Sequence, residues 1–210
     1  MEEKTLVFEN ILTLVKERFN SEVFEQIKTR NGNTQHAEGS YKLLIKNILI
    51  ENGYEFKEAG SQQPYDFRIS LSNGETLYLE LKKTDGYKIC FNDTCPNSGA
   101  YYIIIYTAKK SKTYEPQIIG VNGIKFIENC PWIEEYMRDI NLIKQKYSIS
   151  MKPGNMSVYP RPNISSDIKF LLIKEKNIKS LQKQKLKLQS EPIQHDDDIL
   201  EFDEGEIEIS

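Results

Sequence analysis

An α/β or α+β fold, with a mixed central β-sheet flanked by helices, is what the sequence predicts, on three observations. Apolar residues recur at three- and four-residue spacing through residues 1–52, the period of a helix face. From about residue 54 the period drops to two, the period of a half-buried strand. Residues 101–106, Tyr-Tyr-Ile-Ile-Ile-Tyr, are continuously apolar, as a strand covered on both faces must be. A chain of 210 residues suffices for one domain with a real core, or one domain with tails.

The elements follow in order. Phe8, Ile11, Leu12, Val15 and Phe19 share one face of a first helix. Asn20-Ser21 stops it and offers a new N-cap, with a second helix over 22–30. Residues 31–37 read as a loop. A third helix covers about 38–51, with Tyr41, Leu44, Ile45, Ile48 and Leu49 on one side, and Asn52-Gly53 ends it as a left-handed cap. Residues 54–57 are a short strand. Phe67, Ile69 and Leu71 alternate with polar residues in the next strand, as do Leu77, Leu79 and Leu81 in the one after. Gln117 to Val121 is a further strand. Pro131 opens a helix to about Tyr147, anchored by Trp132. Residues 151–166, with Pro153, Gly154, Pro160 and Pro162, form a loop, and Asp167 to Leu188 is a Lys-rich helix. Beyond Ser190 the composition predicts disorder. The expected division is therefore a domain at 1–160, a basic helical segment at 161–190 and an acidic tail at 191–210.

Charge and cysteine content narrow the class. The net charge of −3 conceals a neutral body, a segment at 161–190 with eight basic and two acidic residues, and a tail with nine acidic residues and no lysine or arginine. A basic segment is suited to nucleic acid phosphates. Its apolar residues Ile168, Leu171, Leu172, Ile178 and Leu181 suit dimerisation equally, and the acidic tail could fold back on it. No apolar run reaches the length of a membrane span, and the charged start Met1-Glu2-Glu3-Lys4 leads into no signal-peptide core. Cys90, Cys95 and Cys130 are too few and too irregular for a disulfide framework or a four-ligand zinc site, so a soluble, reducing, intracellular (cytoplasmic) setting is expected. His36 and His195 are too far apart to argue for a histidine-based site.

The hairpin carries the chemistry. Directly opposed residues of a hairpin have a constant index sum and share a face. A two-residue Asn73-Gly74 turn would put the two apolar rows on opposite faces. A three-residue loop, Ser72-Asn73-Gly74, gives a sum of 146, puts both rows on one face and leaves Gly74 at the left-handed position. That register sets Asp66 against Glu80 on the polar face, with Lys82 one step further along. Two carboxylates at such range repel unless a cation lies between them. Oxygen donors of this kind suit Mg²⁺, which takes one or two carboxylates together with phosphate oxygens and water. A lysine beside them can orient or deprotonate the attacking water, or stabilise charge on the phosphorane. The residue types match metal-dependent phosphodiester hydrolysis; they match a solvated hairpin face with an ion pair as well.

Pro64-Tyr65-Asp66, a 13-residue spacer, then Glu80-Leu81-Lys82 resembles the motif of the PD-(D/E)xK nuclease superfamily. The resemblance covers about residues 36–125. With Lys82-Lys83-Thr84, Phe91-Asn92-Asp93-Thr94, Pro96 and Tyr101-Tyr102-Ile103, it is most similar to type II restriction endonucleases. The sequence departs from the pattern in Tyr65, which stands between the proline and the acid. The resemblance implies a restriction-endonuclease-like core and Asp66 and Glu80 as Mg²⁺ ligands with the Leu81 carbonyl. It implies further that Lys82 acts on water, and that the ends are 5′-phosphate and 3′-hydroxyl.

Secondary candidates surround this trio. Glu38 is either an accessory acid reaching the metal through water or an acid complementing its helix dipole. Lys83, Lys88, Asn92 and Asp93 follow the catalytic strand and could contact phosphates or base edges, or be ordinary loop residues. Tyr101, Tyr102 and Tyr106 read as core rather than a stacking platform. The expectation is a Mg²⁺-dependent, sequence-specific endonuclease of double-stranded DNA, acting as a homodimer because two strands are cut, with a companion DNA methyltransferase. A repair or junction-resolving nuclease with the same site, and a non-catalytic nucleic-acid-binding or chaperone-like module, are the alternatives.

Overall fold

In the computed structural model, residues 2–28, 34–60, 65–91, 95–128, 130, 132–150 and 164–174 are described. They form a mixed α/β fold in which a five-stranded sheet is flanked by helices. Three helices come first: α1 (Glu3–Arg18), α2 (Ser21–Ile27) and α3 (Thr34–Glu51). Phe8, Ile11, Leu12 and Val15 of α1 are buried, as their spacing requires. Asn20 caps α2, its side chain accepting from the Val23 N–H at 3.0 Å. Gly53, at φ 71°, lets the Tyr54 N–H reach back to the Leu49 carbonyl at 3.0 Å and close α3. The helix α3 begins at Thr34, earlier than the expected residue 38. Residues 34–37 contain neither proline nor glycine, so nothing in them halts the helix.

The sheet has the order β1-β2-β3-β5-β6, from β1 (Phe56–Glu58), β2 (Phe67–Ser70), β3 (Thr76–Thr84), β5 (Ala100–Tyr106) and β6 (Gln117–Asn122). Strand β4 (Lys88–Cys90) lies outside it and pairs with β7 (Ser165–Asp167) in a separate two-stranded ribbon. The hairpin register is the expected one: Phe67 opposes Leu79 and Ile69 opposes Leu77. Its three-residue loop is closed by the Leu71 N–H on the Glu75 carbonyl at 2.9 Å, with Gly74 at φ 82°. Glu3 of α1 holds that loop, accepting from the Ser72 N–H and hydroxyl at 2.9 and 2.6 Å.

Strand β5 runs parallel to β3 and antiparallel to β6, and all seven of its residues are buried. Parallel neighbours require a long crossover; residues 85–99 supply it, with β4 in place of the usual helix among the described residues. The two faces of the sheet carry different cores. On one, Leu77, Leu79, Leu81, Phe67 and Ile103 pack under α1, α2 and α3. On the other, Tyr102, Ile104, Tyr106 and Val121 meet Ile89 and Phe91, Ile168, and Phe126 of the short helix α4 (Ile124–Ile127). The tyrosines at 101, 102 and 106 are core residues.

The C-terminal expectations change. Ser165 and Ser166 of the expected loop and Asp167, the expected first residue of the helix, form a strand, and Lys169–Leu171 is a single 3₁₀ turn instead of part of a long helix. Ile168 is fully buried in the body, and Leu171 and Leu172 are partly buried against the same core. The compact unit runs to Lys174. The rest of the expected Lys-rich helix, with Ile178 and Leu181, and the acidic tail at 191–210 lie outside the described residues. The helix α5 (Trp132–Ser150) matches expectation in its extent, but Trp132 is exposed and the neighbouring Ile133 is what anchors it. The three cysteines are free thiols. Among the described residues no helix is long and apolar enough to cross a membrane.

Gly120 on β6 makes room for α1: a Cβ there would lie 2.3 Å from Leu12 Cδ2 and 2.8 Å from Phe8 Cζ. Gly120→Ala is therefore expected to cost about 1–3 kcal/mol. In a Leu12→Ala background, where the obstructing methyls are gone, the same change should cost less. Urea unfolding of the four members of this cycle measures both.

Candidate functional site

The polar side of β3 defines the site. Strand alternation sends Leu77, Leu79 and Leu81 to the helix-covered face and leaves Glu80, Lys82 and Thr84 on the other, beside Tyr102, Ile104 and Tyr106 of β5. Glu80 and Lys82 meet there, Lys82 Nζ lying 2.8 Å from Glu80 Oε1. The Lys82 ammonium also lies 5.9 Å from the Phe91 ring centre.

Asp66 sits where the hairpin ladder ends. Tyr65 takes a left-handed conformation, φ 67°, uncommon for a residue with a Cβ, and the Asp66 N–H after it still donates to the Leu79 carbonyl of β3 at 3.0 Å. Phe67 is the last residue of β2 in register with β3. Beyond it the Leu81 N–H finds the Asp66 carboxylate, donating to Oδ2 at 2.8 Å. The other carboxylate oxygen, Oδ1, receives the ammonium of Lys42 at 3.1 Å. Lys42 stands on α3, is also 3.7 Å from Glu58, and shares that glutamate with Lys46 at 2.7 Å. Asp66 is thus gripped from β3 and from α3 together.

Electrostatics couples the two acids. Burial pushes the Glu80 carboxyl above the ordinary glutamate range; Lys82 opposes the shift and the charge of Asp66 adds to it. Tyr41, behind the site on α3, has its phenol raised first by burial and then by Glu38, Asp66 and Glu80. For Lys42 burial acts downward, but Asp66 and Glu58 outweigh it and the ammonium is held above its usual value. The side chains of Asp66 and Glu80 keep 18% and 21% of their surface exposed, so neither is sealed from solvent.

A cleft of about 780 Å³ adjoins the site. Its lining joins Glu38, Tyr41 and Lys82 to Lys88, Lys110 and Lys169, and overall holds five lysines against three acids. Leu81 lines it as well; Asp66 and Glu80 do not. Lys83 lines it too, but its ammonium is 2.9 Å from Asp85 and its side chain is nearly buried. Lys88 is exposed on β4. Asn92 and Asp93 lie outside the described residues. Glu38 is exposed and is the fifth residue of α3, past the first turn where a helix dipole acts strongly.

The structure brings Asp66, Glu80 and Lys82 into one electrostatic cluster. Lys42, Glu58, Lys110 and Lys169 are the residues that sequence reasoning missed. For Lys42 a signal exists: Glu38, Lys42 and Lys46 recur every four residues, a polar stripe beside the apolar row of Tyr41, Ile45 and Leu49. Among the described residues no three His, Cys, Asp or Glu side chains group as metal ligands. Asp66 and Glu80 are each paired with an ammonium; carboxylate oxygens are the donor type that Mg²⁺ takes alongside phosphate oxygens and water. No protein-family model matches the chain, and no curated protein matches it in sequence.

Because Glu80 binds its proton more tightly in the folded state than in the unfolded one, its contribution to stability falls as pH rises through the interval between the two values. Glu80→Gln removes that fall. Thermal unfolding from about pH 4 to about pH 8 should show the midpoint of the variant gaining on that of the parent as pH rises.

Proposed function

We propose that the chain is a Mg²⁺-dependent endonuclease acting on double-stranded DNA, with a core like that of the PD-(D/E)xK superfamily and, within it, type II restriction endonucleases. One observation carries the reading: the Asp66 carboxylate leaves the end of β2 to cap the β3 backbone beside Glu80 and Lys82. The topology supports it, since the strand bearing these residues is antiparallel to β2 and parallel to a buried neighbour.

Asp66 and Glu80, with the Leu81 carbonyl, would hold the ion. Mg²⁺ bound there would polarise a phosphoryl oxygen and acidify a water. Lys82, an ammonium beside Glu80, would orient the attacking water and offset negative charge on the phosphorane. Water oxygen bonds to phosphorus, the bond to the 3′-oxygen breaks, and the proton from water ends on that 3′-oxygen, leaving a 5′-phosphate. Lys42 fixes the Asp66 carboxylate from the side of α3. Lys88, Lys110 and Lys169 give the cleft a basic lining suited to the phosphate backbone. Sequence-specific cutting would require a companion methyltransferase in the host.

Incubation with unmethylated plasmid, with Mg²⁺ or with chelator, followed by sequencing of the ends, tests the reading. Discrete products abolished by chelator are expected. Lys82→Ala and Asp66→Asn should each slow cleavage by about 10²-fold or more while remaining folded. Undiminished cutting by Asp66→Asn would remove the assigned ligand from the mechanism. Cutting confined to branched DNA would favour a junction-resolving enzyme, and binding without cleavage a non-catalytic module. Lys88→Ala and Lys169→Ala should each reduce the slope of log affinity against log salt by about 1, measured on a linear duplex by fluorescence anisotropy.

A further inference from the structure

The helix α5 carries two apolar rows, with the exposed Leu142 outside both. Ile133 is buried against the body, and Met137 and Ile140 are half-buried behind it. At 3.6 residues per turn, Trp132, Tyr136, Ile143 and Tyr147 fall within a neighbouring arc of about 60°. These four are exposed by 55%, 37%, 40% and 41%. Trp132 and Tyr136 already meet edge to face, ring centres 6.4 Å apart. Three large aromatic side chains and an isoleucine facing water along one helix are a costly arrangement for a surface that stays wet.

The charge pattern names the occupant. Residues 132–139 carry Glu134, Glu135, Arg138 and Asp139, a net of −2, whereas residues 140–147 carry only Lys144 and Lys146. A helix with an acidic first half and a basic second half is complementary to itself when reversed, and to no parallel copy. The apolar row has the same symmetry. Antiparallel partners have a constant index sum, and both Trp132 with Tyr147 and Tyr136 with Ile143 sum to 279. In that register Glu135, on the flank of the row, approaches Lys146 of the other copy, and the contact is made twice. Asp139 lies near the axis; Arg138 of its own helix is shared between it, at 4.0 Å, and Glu135, at 3.7 Å, so Lys146 would compete with Arg138 for Glu135.

We propose that α5 is a self-association surface on which a second copy of the chain docks antiparallel, burying Trp132, Tyr136, Ile143 and Tyr147 between two helices. The inference stands apart from the proposed chemistry, and its test needs neither DNA nor metal. Sedimentation of the full chain should show a monomer–dimer equilibrium in about the micromolar range. Trp132 is the chain's single tryptophan, so its quenching by acrylamide should weaken as concentration rises through that range. Ile143→Glu should abolish the dimer. Glu135→Lys and Lys146→Glu should each weaken it about tenfold or more, and the two variants mixed should pair one to one. Circular dichroism verifies that each variant is folded. A chain that sediments as a monomer at about 100 µM overturns the proposal. So does a dimer indifferent to these substitutions, or a Trp132 shielded at every concentration, which would mean that the chain's own remainder covers α5.

Discussion

Leu81 presents its N–H at the point where β2 has stopped, and an uncapped N–H in a half-buried position costs about 1–3 kcal/mol. The Asp66 carboxylate takes it up. Everything around the site follows from that replacement of a backbone acceptor by a charged one. The chain can deliver the carboxylate because Tyr65 accepts a left-handed conformation, and Asn97 fixes that tyrosine by donating from its side chain to the phenol oxygen at 2.7 Å. Once placed, the carboxylate needs a cation. Lys42 supplies it from α3 and thereby ties the helical layer to the edge of the hairpin. An exposed ion pair contributes about 0–1 kcal/mol, whereas removing one partner from a buried pair costs about 3–5 kcal/mol. The pair of Lys42 and Asp66, mostly withdrawn from water, lies between these limits and outranks the more open one of Lys46 and Glu58.

The sheet separates the work of holding the fold from the work of the site. One face is apolar along β2, β3 and β5 and is covered by the first three helices. The other is apolar on β5 and β6 but polar on β3, where Glu80 and Lys82 interrupt it. The second core, with Phe91 and Ile168, borders this interruption without filling it. The ribbon of β4 and β7 therefore has two functions in the architecture: it closes the second core, and it brings Lys88 and the neighbouring Lys169 to the wall of the cleft. Lys169 is steadied there by the Tyr87 ring, 4.8 Å from its ammonium.

The register of the hairpin was legible in the sequence because a strand period of two makes every register error visible: a slip of one residue exposes a whole apolar row. Phe67 against Leu79 follows from that arithmetic alone. The pairing of Glu80 with Lys82 follows from the same alternation. What alternation does not encode is where a ladder ends. Asp66 was expected directly across from Glu80, yet it stands just beyond the last registered pair and bonds sideways to Leu81. Its partner Lys42 belongs to an element far away in the chain, and no local spacing links the two. The β7 strand was illegible for a similar reason. Ser165, Ser166 and Asp167 have no strand propensity to speak of, and only pairing with β4 and burial of Ile168 make them extended.

Charge balance at the site bears on the proposed chemistry. Glu58, Asp66 and Glu80 face Lys42, Lys46 and Lys82 in ion pairs, and the charge of Glu38 also reaches Lys42, four anions against three cations. In the proposed chemistry a divalent ion would add two positive charges to this set, and displacing an ammonium group would offset the excess in a partly buried place. Lys42 has an alternative, because Glu58 is already within 3.7 Å of it. Lys82 has another, since an incoming phosphate offers oxygens to the ammonium that Glu80 now holds. Glu80 would gain from such an exchange. Its carboxyl is raised by burial and by Asp66, and a dication held between the two acids would remove the repulsion that Lys82 alone offsets incompletely. Under the proposed chemistry, Lys42 would turn to Glu58 and Lys82 to the phosphate as the ion enters.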